Sequence, residues 1–242
     1  MFEPIEKKRY FEQIADQIRD RIFRENLSDG FRLPAEQQLA IELNVSRSVV
    51  REALRILDVM GYVKIKKGPQ GGISVNSQYH KPVSDSLMRL ATNGQITVEH
   101  LFDVRLQIEP FIVEEAARHA TESDMKKLST LFEDSALHLD DPAYLKQKNI
   151  EFHLLLAEAS GNPVLSIMMK SIIEILSEIA FSFLEPAFEK ELFLGTHRKI
   201  LEAVIHRKVS LARKLVKEDI LLVKNNLKRA LEGHESAVLT IQ

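Results

Sequence analysis

The chain has 242 residues, no cysteine and a formal net charge of −2. That length predicts one or two domains and is enough to bury a core without covalent or metal staples. The missing cysteine excludes disulfide scaffolds, thiolate metal sites and cysteine nucleophiles, while 45% hydrophobic and 28% charged residues exclude a disordered chain.

The most apolar stretch, 164–184, contains Lys170, Glu174 and Glu178, too many charges for a bilayer span of about 20 apolar residues. Residues 1–6 carry acids and no apolar run of the signal-peptide type, so a cytoplasmic location is expected. Charge is uneven along the chain. Residues 1–80 hold 13 Lys/Arg against 11 Asp/Glu, and within 44–75 six bases face only Glu52 and Asp58. A local basic patch of this kind is a footprint for nucleic acid that an acidic second domain can mask.

Apolar positions Phe11, Ile14, Ile18 and Ile22 predict a helix over 10–26. Gly30 and Pro34 break the chain, and Leu39, Ala40 and Leu43 share one side of a short second helix over 35–43. Asn44-Val45 is a turn. The Ser46 hydroxyl can accept from an unpaired N–H in the first turn of a third helix, which puts Val50, Ala53, Leu54 and Leu57 inward and ends at Gly61. The alternating run 62–66, a glycine-rich turn over 67–72 and a second strand over 73–75 form a hairpin. Residues 1–75 are therefore expected to be a winged helix-turn-helix, followed by a linker over 76–83.

Beyond the linker the periodicity is helical, with helices expected at about 84–93, 97–119, 122–139, 142–160, 163–184, 187–206 and 208–232. Pro82, Pro142, Pro163 and Pro186 sit near starts, where proline is tolerated. The expected fold class is mostly α: the winged head, an all-α bundle over 84–233 and a tail over 234–242.

Arg47, Arg51 and Arg55 recur at i, i+4 and i+8, which makes one stripe away from the core face of the third helix, with Ser48 beside it. In a helix-turn-helix this helix enters the major groove, where arginine can grip guanine O6 and N7 bidentately. The wing lysines Lys64, Lys66 and Lys67 suit phosphate contacts, which set register.

The run Gly30-Phe31-Arg32-Leu33-Pro34-Ala35-Glu36, then Leu39-Ala40, Val45-Ser46-Arg47-Ser48-Val49-Val50-Arg51-Glu52-Ala53-Leu54 and Gly61-Tyr62-Val63 resembles the N-terminal domain of GntR-type bacterial transcription regulators. The resemblance covers about residues 10–75. It implies DNA contacts from Arg47 and Arg51, helped by Ser48 and a wing tip near Gln70 and Gly71. Gln37, a further candidate DNA contact, stands where that pattern usually carries arginine.

The bundle places polar groups on apolar stripes. His153 shares a face with Asn149, Ile150, Leu156 and Ala157; His197 with Phe193, Leu194, Ile200, Leu201 and Val204. Asp219 lies with Leu215, Val216, Leu222 and Val223; Arg105 with Leu101, Phe102, Ile108 and Ile112. A buried ion without a partner costs several kcal/mol, so these groups are expected to converge. Two imidazoles, the Asp219 carboxylate and the Asn149 amide oxygen can hold a divalent cation, and Arg105 suits a carboxylate ligand.

The stretches 98–110 and 152–163 resemble the FCD ligand-binding domain of the FadR subfamily, over about residues 84–232. The resemblance implies a homodimer on a palindromic operator and an effector, usually a small carboxylic acid, facing Arg105 and Asn162. It also implies a metal site at Asn149, His153, His197 and Asp219. Asn149 stands where Asp is usual and Asp219 where His is usual. The added oxygen favours Mn, Mg or Ca over Zn or Ni. The expected function is a ligand-controlled repressor. One alternative is a metal-free regulator of a larger acidic or acyl ligand, against which the polar stripes argue. The other is a metal-dependent enzyme, for which no general base at a recognisable spacing accompanies the set.

Overall fold

The computed structural model describes residues 10–66, 68, 71–76 and 78–232. The chain divides between Pro82 and Val83 into two compact units.

In the first unit, α1 (Tyr10–Arg24) puts Ile14, Ile18 and Ile22 on one buried face. It packs on α3 (Arg47–Val59), whose Val50, Ala53, Leu54 and Leu57 are buried at 0–1% exposure. α2 (Glu36–Glu42) adds Leu39 and Ala40. Ser46 caps α3 as expected, its hydroxyl accepting from the Val49 N–H. The wing is β2 (Val63–Lys66) and β3 (Gly72–Val75), antiparallel with Ile65 opposite Ile73. A further strand, β1 (Arg32–Leu33), pairs with β3, giving the sheet order β1-β3-β2. Two residues are too few to display alternation, so β1 left no trace in the periodicity.

The segment after β3 lies against this unit. Asn76 N–H donates to the Tyr62 carbonyl at 2.9 Å, and Tyr79 stacks on Phe23 and tilts against Tyr62. Gly61 is required here: its φ is +77°, and a Cβ would come within 2.6 Å of the Gln78 carbonyl oxygen. The linker expected over 76–83 is shorter than that, because α4 (Lys81–Thr92) already begins at Lys81, with Pro82 in its first turn.

The second unit is helical throughout its described residues. After α4 come α5 (Val98–His119), α6 (Glu122–Ala136), α7 (Pro142–Ala159), α8 (Pro163–Ile179), α9 (Pro186–Glu191), α10 (Arg198–Ile205) and α11 (Val209–Glu232). α5 and α11 run antiparallel, since Asp103 pairs with Lys224 at 3.0 Å and Glu114 with Arg213 at 2.7 Å. Phe102, Ile112, Phe152, Leu156, Met169 and Val216 fill the core at 0% exposure.

Two expected helices are interrupted. The 163–184 helix stops at Ile179 and gives way to a 3-10 turn, Phe181–Phe183. The 187–206 helix contains a π turn, Leu192–His197, between α9 and α10. A π turn bonds i to i+5 and rotates the residues of that turn relative to an α-helix. Phe193 and His197 are accordingly 1% exposed, while Leu194, expected beside them, is 40% exposed. None of the described helices is long and apolar enough to cross a membrane. Gln70, Lys67 and the tail over 234–242 lie outside the described residues.

Candidate functional site

The head carries its basic face where the stripe predicts. Arg47, Arg51 and Arg55 are exposed on α3, as are Ser48 and, on α2, Gln37. Two of the arginines are held. Glu36 accepts from Arg47 Nε at 3.0 Å and from Arg51 Nε and Nη2 at 3.3 and 3.0 Å. The Arg51 hydrogen bond, with Arg47 beside it, keeps the Glu36 carboxyl below its usual range. Arg51 is thus gripped by one edge of its guanidinium. The other edge, Nη1 with the second Nη2 hydrogen, stays available for a bidentate contact. Ser48 Oγ lies 2.9 Å from Ser46 Oγ, and Arg55 pairs loosely with Glu52 at 3.6 Å. Lys66 and Gly71 line one surface recess together with Arg32 of β1. Arg32 is a basic neighbour of the wing that the sequence reading passed over, because β1 was not foreseen.

In the helical unit, Asp141 caps α7 and Pro142 starts it, which sets the face that Asn149 and His153 share. His197 comes from the π turn and Asp219 from the middle of α11. One ligand atom from each of His153, His197 and Asp219 lies within 4.8 Å of the others. Asp219 Oδ1 is 3.3 Å from His197 Nε2, and Asp219 Oδ2 is 3.7 Å from His153 Nε2. The His197 ring stacks on Phe152 at 4.6 Å between centroids and meets the His153 ring edge-on, which fixes both imidazoles. Both His197 nitrogens and both Asp219 oxygens are buried without a hydrogen bond among the described residues. Burial pushes the His197 pKa down and outweighs the pull of Asp219, so the ring is neutral, the form that ligates metal.

These residues fit a divalent cation. Bonds of about 2.0–2.2 Å place neighbouring ligand atoms roughly 3–3.5 Å apart, close to the 3.3 and 3.7 Å that separate Asp219 from the two histidines. Buried polar atoms without a hydrogen bond are expensive, and a cation would satisfy His197 Nε2 and the two Asp219 oxygens.

Behind His153 stands Glu109, to which sequence reading gave no role. Its carboxylate accepts from His153 Nδ1 and, at 2.9 Å, from Arg105 Nε. Burial alone would raise the Glu109 carboxyl; Arg105 and His153 outweigh it and hold it at about 2. An ionised Glu109 makes Nδ1 the donor and holds the ring with Nε2 turned toward Asp219. The signal was present: Glu109 follows Arg105 by four residues on a core-facing stripe.

The expected set is brought together only in part. Asn149 lines the same cavity, but its amide nitrogen donates to the Glu189 carbonyl at 3.2 Å and to the Glu189 carboxylate, leaving Oδ1 unpartnered. Asn162 does not line this cavity. It is exposed, and its Oδ1 caps α8 by accepting from Val164 and Leu165 N–H groups. Asn162→Ala is expected to cost about 1 kcal/mol of stability, as a lost cap does, and to leave any ligand response unchanged. Thermal unfolding with and without ligand checks both parts.

The cavity is small, with a volume of about 30 Å³. Its polar lining is Arg105, Lys146, Asn149, His153, Glu189 and His197; Ile150, Phe181, Leu184, Leu192 and Val223 supply apolar wall. Arg105 is 1% exposed, and its Nη2 has no hydrogen-bond partner among the described residues.

Comparison with known proteins agrees with this two-part architecture. The family described as "Bacterial regulatory proteins, gntR family" matches residues 11–75, and the FCD domain matches residues 100–221. An Escherichia coli (strain K12) protein named as an L-lactate dehydrogenase operon regulatory protein is 31% identical over 231 residues, covering 92% of this chain and 88% of that one. The HTH-type transcriptional repressor NanR of Salmonella bongori is 32% identical over 170 residues, covering 66% of this chain and 62% of its own length. Among solved structures, Streptococcus agalactiae GntR aligns with a TM-score of 0.61 at 29% identity, covering 89% of this chain and 99% of that one. The chain belongs to the gntR family: it is a DNA-binding transcription regulator with a GntR head and an FCD domain.

Proposed function

We propose that this regulator is a repressor whose operator affinity is set by a small carboxylic acid bound in the helical cavity, beside a divalent cation held by His153, His197 and Asp219. The observation that carries the reading is the buried cluster of His153, His197 and Asp219, in which the His197 and Asp219 polar atoms make no hydrogen bond, beside a cavity that Arg105 also lines. A cation bound there supplies positive charge for an acid's carboxylate. Arg105 adds a second contact: its Nε is committed to Glu109, so the Nη2 side meets the ligand.

In this reading the head reads a palindromic operator as a homodimer, because two-fold protein symmetry matches two half-sites. Arg47, Arg51 and Ser48 face base edges. Arg55, Gln37, Lys66 and Gly71 supply flanking contacts, with Gln70 placed here by sequence alone. The acid must bind one arrangement of the two heads better than the other, or it shifts nothing.

His197→Ala is expected to abolish stabilisation by added divalent metal and by ligand, while operator binding by the ligand-free protein is retained. Thermal shift with metal alone, then with metal and carboxylate, reads the first part; fluorescence anisotropy on operator DNA reads the second. An unaltered metal response in His197→Ala excludes this site.

A further inference from the structure

The cavity is not lined for a bare carboxylate alone. Arg105 offers donors, and a cation at His153, His197 and Asp219 adds to them. The same lining carries acceptors that a bare carboxylate cannot satisfy. Glu189, 5% exposed on α9, contributes its carboxylate. Asn149 binds Glu189 through its amide nitrogen, at the carbonyl and the carboxylate both, and leaves its own Oδ1 unpartnered. Burial raises the Glu189 carboxyl above its ordinary range, against the opposing pull of Asn149 and of Lys146, which also lines the cavity.

We infer that the effector carries a hydrogen-bond donor, a hydroxyl or an ammonium group, beside its carboxylate, and that Glu189 is the residue that reads it. The inference rests on the effector reading above and narrows the class of acid. A ligand with only carboxylates sets an acceptor against the Glu189 carboxyl and leaves Oδ1 of Asn149 a buried acceptor without a donor. A hydroxy or amino acid answers both ends of the cavity. The competing role for Glu189 is structural, as the group that orients Asn149. A glutamine at 189 keeps one acceptor for Asn149 and nearly the same volume, while it removes the charge and turns the second oxygen into a donor.

The test uses the full chain, metal-loaded, with two matched series: propionate, lactate and alanine, then succinate, malate and aspartate. Titration calorimetry gives each Kd for wild type and for Glu189→Gln. The inference expects one donor-bearing acid to bind at least tenfold tighter than its unsubstituted parent in wild type. It expects that margin to collapse in Glu189→Gln while the parent's own Kd holds or improves. The lactate and alanine arms separate a hydroxyl from an ammonium. If parent acids bind as tightly as their substituted forms, or if Glu189→Gln keeps the margin intact, Glu189 does not read the ligand and the inference is overturned, although the cavity still binds acids. If none of the six binds either protein, the effector reading falls and takes this inference with it.

Discussion

Glu109→Ala is expected to destabilise the helical unit by about 3–5 kcal/mol, the cost of leaving a buried charge without its partner. Arg105 and Glu109 are each 1% exposed and lie 2.9 Å apart, one turn from each other on α5. Removing the carboxylate strands the Arg105 guanidinium and frees the His153 ring at Nδ1 as well. Urea unfolding followed by circular dichroism measures the loss, and metal-induced stabilisation should fall with it. The pH dependence carries a second signature. Glu109 is held at about 2 in the folded chain against an ordinary 4.5, so its contribution is complete above 4.5 and is lost as pH falls towards 2. A depression of that size corresponds to roughly 3 kcal/mol. Urea midpoints from pH 5 to pH 2.5 should fall less steeply in Glu109→Gln than in wild type. A parallel pair of curves would mean that Glu109 is not the group being titrated.

The head was legible from sequence because its signals are local. The Ser46 cap, the left-handed Gly61 and the arginine stripe each depend on a few neighbouring residues, and tertiary packing leaves them intact. The bundle's polar centre was legible for a different reason. A charged side chain on an apolar stripe must find a partner, and His153, His197, Asp219 and Arg105 do converge on one region. What escaped depends on geometry between distant segments. Glu189 lies on a six-residue helix with no periodicity to read, and Asn149 meets it across 40 residues of sequence. The π turn broke the assumed spacing of 3.6 and turned Leu194 outward. Asn162 was assigned by resemblance to a pocket role, whereas Asn followed by Pro163 is also the pattern of a helix cap, and the cap is what the structure has.

Arg51→Ala is expected to weaken specific operator binding by about 1–3 kcal/mol, roughly fivefold to 150-fold, as the loss of one bidentate base contact does. Arg55→Ala should cost less, since Arg55 sits a turn further along α3 and pairs only loosely with Glu52. The ion pair with Glu36 explains why Arg51 should matter most. It holds the guanidinium by one edge through Nε and Nη2, so the side chain has lost much of its rotamer freedom before DNA arrives. Glu36→Gln tests that preorganisation. It removes a negative charge close to the phosphate path, so non-specific affinity should rise. It also loosens Arg51 and Arg47, so the ratio of specific to non-specific binding should fall. Anisotropy titrations on operator and scrambled duplexes across a salt series separate the two effects, because the phosphate contribution scales with salt and the base contribution does not. If Arg51→Ala lowers affinity for both duplexes equally, Arg51 is a phosphate contact, and base reading must be sought at Arg47 and Ser48.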